Sequence, residues 1–136
     1  MDHLYRVVPA SHWQEALMSG FVPRCAADER LDRVHLNKLE DVELAARLGF
    51  TAEEEPVALE IEVSSLAEHL RWELRATPPE GVWPNLYVRA IPTQNVVRVL
   101  TLVHLTERGA SFFRIGRELA ESKTRQAGGA PSKGAA

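Results

Sequence analysis

At 136 residues, 45% hydrophobic and 26% charged, the chain supports one domain with a single core. No apolar run approaches the 18 residues of a membrane helix, the opening Met-Asp-His-Leu-Tyr-Arg lacks the plan of a signal peptide, and a lone cysteine excludes an internal disulfide or thiolate metal cluster. All 19 acidic residues precede position 122, whereas three of the 16 basic ones, Lys123, Arg125 and Lys133, follow it; an acidic body argues against a broad nucleic-acid surface, and a cytoplasmic protein is expected.

In chain order, Leu4 to Val8 read as a strand stopped by Pro9, and Ser11 as the cap of a short helix that buries Trp13, Ala16 and Leu17 and exits at Gly20. Residues 25–32 give no clear element. Arg33-Val34-His35-Leu36-Asn37 places a histidine at the end of a short strand. Asn37 would cap the next helix, with Glu40 at the capping-box position. The free N–H groups of that helix, with Arg33 beside them, could hold a negative group within reach of His35; the commoner fate of a lone histidine is packing in a strand. That helix would bury Leu39, Val42 and Ala46 and end at Gly49.

Val57, Leu59, Ile61 and Val63 alternate with Ala58, Glu60 and Glu62, a strand with one apolar face and a solvated face carrying two carboxylates. Leu70, Trp72 and Leu74 alternate with Arg71, Glu73 and Arg75 in a second strand, whose arginines would keep Glu73 ionised. Residues 82–91 are mostly extended; Trp83 reads as packing and Tyr87 as a pocket wall. Residues 96–103 form a late, central strand. A terminal helix over 106–121 carries Phe112, Ile115, Gly116 and Leu119 on one stripe. Phe113, off that stripe, and Gly116 would let the helix mediate a homodimer. The plan is a body over 1–105, an added helix over 106–121 and a disordered tail over 122–136. The order of elements predicts an α+β domain with an antiparallel or mixed sheet.

Common catalytic signatures are missing: no glycine-rich phosphate loop, no nucleophile elbow and no histidine spacing for zinc. Cys25 with His35 could form a thiol pair, though no orienting third group can be placed.

Leu4-Tyr5-Arg6-Val7, Val34-His35-Leu36-Asn37, Leu59-Glu60-Ile61, Leu70-Arg71-Trp72-Glu73 and Pro84-Asn85-Leu86-Tyr87 fall in an order that resembles a small bacterial family catalogued as domain of unknown function 952, over residues 4–102. That family looks related to the ADP-ribosyltransferase superfamily. Val34-His35-Leu36 and Gly81-Val82-Trp83 are also similar to parts of the NAD-using RNA 2′-phosphotransferases, but the N-terminal lobe of those enzymes has no counterpart here, so removal of an RNA 2′-phosphate is not expected. The resemblance implies an ADP-ribosyltransferase-like split sheet with flanking helices and a central cleft for NAD or an ADP-ribose-type nucleotide, with transferase or NAD-cleaving activity and no metal. Arg6, His35, Asn37 and Tyr87 would bind the nucleotide; Glu73, with His35 as the other catalytic candidate, would steady positive charge as nicotinamide leaves. Arg6 stands where the family usually has His, Asn37 where it usually has Ser, and Val88-Arg89 where Gly-Pro often follows the tyrosine. The alternative is a non-catalytic small-molecule or partner-binding module that keeps the cleft.

Overall fold

A computed structural model describes residues 3–116. Strand β1 (His3–Val8) runs into helix α1 (Ala10–Ser19), followed by β2 (Phe21–Val22), α2 (Ala26–Leu31), β3 (Val34–His35), α3 (Val42–Gly49), β4 (Val57–Glu62), β5 (Leu70–Arg75), β6 (Gly81–Leu86), β7 (Ile91–Pro92), β8 (Val96–Glu107) and β9 (Ala110–Gly116). They form a four-stranded sheet ordered β1-β4-β8-β9, a three-stranded sheet ordered β3-β6-β5 and the short pair β2-β7. Every pairing is antiparallel, so the chain is an α+β domain with split antiparallel sheets. Among the described residues no helix is long and apolar enough to cross a membrane.

Side-chain alternation along β1 explains the layering. Leu4 and Val8 point into a cluster with Leu36, Leu59, Ile61, Leu86 and Ile91, while Tyr5 and Val7 point the other way, toward Val42 and Ala46 of α3, Leu100 and Phe113. The β1-β4 side of the large sheet is thus covered on both faces. Arg6 shares the Leu4–Val8 face and is buried at 6% exposure, which sets the chemistry of the site.

Both-sided cover corrects the reading of β4. Glu60 is buried rather than solvated; its carboxylate meets Arg98 Nε at 2.8 Å and His3 Nδ1 at 2.8 Å. Glu62 accepts from the Ser64 and Ser65 hydroxyls at the strand end.

Two helix readings are also corrected. Asn37 caps nothing: its backbone exchanges bonds with Tyr5 at 2.7 and 2.8 Å, extending the sheet, so its N–H is not free for Glu40 to close a capping box. A single 3-10 turn (Leu39–Asp41) intervenes, α3 starts five residues beyond Asn37, and Leu39 is 49% exposed. Similarly, α1 begins at Ala10 on Pro9, one residue before the expected Ser11 cap, and leaves Leu17 exposed. Gly20, at φ 90°, closes α1 as expected, its N–H reaching Ala16 O at 2.8 Å.

The added terminal helix is not observed. Residues 110–116 are strand β9, joined to β8 by a two-residue turn in which Arg108 (φ 54°) and Gly109 (φ 82°) both adopt the left-handed conformation of a tight hairpin; positions 117–121 of the expected helix lie outside the described residues, as does the 122–136 tail. Phe113 is a core residue, and Gly116 closes against β8, where an added Cβ would stand 3.1 Å from Thr101 Oγ1. The argument for a helix-mediated homodimer falls with the helix.

Candidate functional site

The site starts from a buried polar knot. Arg6 on β1 forms an ion pair with Asp28, fully buried on α2, and its Nη1 also donates to the His35 carbonyl at 2.9 Å. His35 Nδ1 lies 2.8 Å from Asp28 Oδ1, and the His35 and Cys25 backbone N–H groups donate to the same carboxylate at 3.3 and 3.1 Å. Burial pushes the Asp28 carboxyl up. The His35 bond, the Arg6 charge and the Cys25 N–H outweigh it and hold the group far below the usual carboxylate range. Asp28 therefore fixes three elements at once and orients the imidazole.

A second cluster lies on the β3-β6-β5 sheet. His35 pairs with Asn85 across β6, and Glu73 on β5 pairs with Trp83, two residues from Asn85 and so on the same face. Asn85 Nδ2 donates to Glu73 Oε1 at 2.8 Å, and the Tyr87 hydroxyl donates to Glu73 Oε2 at 2.6 Å. Arg33 lies over the Tyr87 ring, 5.7 Å from its centroid, with its Nε 3.6 Å from Glu73 Oε1. The Tyr87 bond lowers the Glu73 carboxyl below its ordinary range; partial burial opposes this, and Asn85, Arg33 and Arg71 reinforce it. The same bond raises the Tyr87 hydroxyl. Glu73 is thus an ionised, half-exposed carboxylate held by two oriented donors.

Both clusters meet at a cleft of about 910 Å³. Arg6, His35, Asn37 and Glu73 line it together. Tyr87 is not part of its wall and joins it through Glu73. Leu44, Leu48 and Phe50 supply an apolar side, and Trp83, whose indole N–H is fixed by the Pro79 carbonyl at 3.0 Å, another. Among the described residues, five buried side-chain atoms have no hydrogen-bond partner: Arg6 Nε, His12 Nδ1, Arg24 Nε, Arg33 Nε and Asn85 Oδ1. Every one belongs to a residue lining this cleft. Buried polar groups are ordinarily paired, and here the unpaired ones gather at one concavity. Among the described residues no group of three His, Cys, Asp or Glu side chains could hold a metal ion.

Asp28, Asn85 and Arg24 escaped the reading of the sequence. Asp28 left one faint trace: it follows Cys25 by three residues, the capping-box spacing that its bond to the Cys25 N–H fulfils. Asn85 and Arg24 left none, because their roles depend on partners distant in the chain.

Fold and site define an antiparallel α+β domain with a polar, arginine-bearing cleft. The chain belongs to the family described as protein of unknown function (DUF952), which it matches over residues 7–99. The crystal structure of protein CC0527 from Caulobacter crescentus is 27% identical, with a TM-score of 0.67 over 80% of this chain and 92% of that one. A double mutant of that protein gives 26% and 0.66 over 80% and 92%, and its solution NMR structure 27% and 0.63 over 81% and 91%. No curated protein matches the chain.

Proposed function

We propose that the cleft binds NAD or an ADP-ribose-type nucleotide on an ADP-ribosyltransferase-like fold, with Glu73 as the carboxylate that acts on it. One observation carries the reading: residues from three separate elements, Arg6 on β1, His35 on β3 and Glu73 on β5, line one concavity. The residues fit such a ligand. The volume lies toward the upper end of ligand pockets, roughly 300–1,000 Å³. The unpartnered guanidinium N–H groups suit phosphate oxygens, and the apolar α3 wall suits a base.

Bound NAD supplies a nicotinamide–ribose bond whose cleavage leaves positive charge on the ribose. Glu73, ionised and oriented by Tyr87 and Asn85, stabilises that charge electrostatically. His35 is held by Asp28 through Nδ1, leaving Nε2 to hydrogen-bond a ribose hydroxyl. Arg6 is a positioning residue: its guanidinium is committed to Asp28 and the His35 carbonyl.

Incubation with NAD and candidate acceptors should release nicotinamide, and Glu73→Gln should reduce that release about a hundredfold, the scale of one lost electrostatic group. Absence of NAD or ADP-ribose binding by calorimetry would overturn the reading. The commitment of Arg6 to the buried knot favours a second reading, a binding module without chemistry; nucleotide binding with no nicotinamide release would select it.

A further inference from the structure

Helix α2 is bracketed by arginines. Arg24 precedes it, Arg30 is in its last turn, and Arg33 follows it; all three line the cleft. The Arg24 side chain is 5% exposed, yet its Nε has no acceptor. Its Nη2 donates to the Val88 carbonyl at 2.7 Å and its Nη1 meets Asp32 at 2.9 Å, so the guanidinium is clamped by its ends while one donor is unused. The Arg33 side chain is 30% exposed; its Nη1 donates to the Leu31 carbonyl at 3.2 Å, and its buried Nε has no hydrogen-bond partner, with Glu73 Oε1 3.6 Å away. Arg24 is bonded to Asp32, next to Arg33, and to Val88, next to the Tyr87 ring that Arg33 covers. Arg24 and Arg33 line the same cleft from the two ends of α2.

The acids paired with Arg24 lie on the solvent side, the Asp32 and Glu29 side chains being 86% and 52% exposed, and Glu73, 3.6 Å from Arg33, is 37% exposed. A buried cation whose acidic partners are hydrated keeps much of its attraction for a further anion, because those partners are screened by water. Arg30 is exposed and, among the described residues, makes no hydrogen bond or ion pair.

We propose that Arg24, Arg30 and Arg33 form a phosphoryl-binding rim on the cleft, distinct from the Arg6–Asp28 knot, which takes the phosphate or diphosphate end of the ligand. The forked donors of arginine match phosphoryl oxygens, with Arg24 and Arg33 pre-positioned by their carbonyl bonds and Arg30 free to close over the anion. The inference deepens the nucleotide reading and rests on it for the ligand's identity, but the rim can be tested without a nucleoside.

Inorganic pyrophosphate titrated calorimetrically into the full chain is the first arm, and ADP-ribose the second. Pyrophosphate should bind, with affinity falling about tenfold in Arg24→Gln and about threefold in Arg30→Gln, as charge-assisted bonds are lost. Arg30 is exposed and, among the described residues, without side-chain partners, so its variant keeps the test decisive if Arg24→Gln does not fold. Absence of pyrophosphate binding, or equal binding by the wild-type protein and Arg30→Gln, overturns the rim. If ADP-ribose binds wild type and both variants equally, the rim is overturned while the nucleotide reading stands. If pyrophosphate binding depends on the arginines and neither ADP-ribose nor NAD binds, the rim stands and the nucleotide reading fails.

Discussion

Two of the carboxylates lining the cleft, Asp28 and Glu73, are each joined to an arginine and oriented by neighbouring donors, yet their surroundings differ. Asp28 is fully buried and receives Arg6, His35 and two backbone N–H groups, whereas the Glu73 side chain is 37% exposed and receives Tyr87 and Asn85, with Arg33 farther off. A buried charge must be compensated almost completely, because the interior offers no water to replace a lost partner. An exposed one can be held loosely enough for a ligand to compete. Asp28 thus holds the elements of the cleft together, whereas Glu73 stays partly open to solvent.

The sharpest way to break that comparison is Asp28→Asn. It strands the buried Arg6 charge and should cost about 3–5 kcal/mol in a urea unfolding curve; a loss below about 1 kcal/mol, the range of exposed ion pairs, would make the two carboxylates equivalent. Acid titration probes the same group. The folded-state affinity of Asp28 for a proton is depressed below its ordinary value of 3.8, so its contribution is fully present above that value and is lost as pH falls below about 4. Stability of Asp28→Asn should accordingly decline less steeply in that window, and identical acid limbs for the two proteins would contradict the assignment.

His35→Ala sharpens the boundary between the regions, since His35 belongs to both. Removing its bond to Asp28 should lower stability by about 1–3 kcal/mol, in contrast to the near-unchanged melting temperature expected of an isolated ligand-binding histidine, and should weaken ADP-ribose binding by a similar amount. The smallest effect belongs to Glu73→Gln, whose unfolding free energy should change by less than about 1 kcal/mol because water replaces what is lost; a larger loss would place Glu73 with Asp28 among the structural groups.

The strands of the body were legible in the sequence because each has a simple period. The alternation at Leu70, Trp72 and Leu74 marked β5, and the run from Val96 marked β8, although β8 continues to Glu107. A helical stripe through Phe112, Ile115 and Gly116 competes with the strand alternation of Phe113 and Ile115, and so few residues do not separate the two periods. Arg108 and Gly109, a hairpin turn in fact, carried the only local sign of the strand, and a helical reading absorbs them as the start of its first turn. Asn37 was misassigned for a related reason: a side chain suited to capping says nothing about whether a distant strand, here β1, has claimed its backbone N–H.

By itself the sequence singled out His35, Glu73 and Tyr87 as polar side chains beside strands and breakers, and its resemblance to a family added Arg6 and Asn37. It also determined the α+β class, since periodicity is a local property that each segment expresses alone. Only the tertiary structure decided that Arg6 and Asp28 would be buried together, that Glu60 would have cover on its outer face, and that unpartnered atoms from five residues would share one cleft. Those outcomes depend on contacts between segments tens of residues apart, such as Arg6 with Asp28 and Arg24 with Val88. Burial and hydrogen-bond pairing are set by what the rest of the chain brings against a residue, which no local pattern encodes.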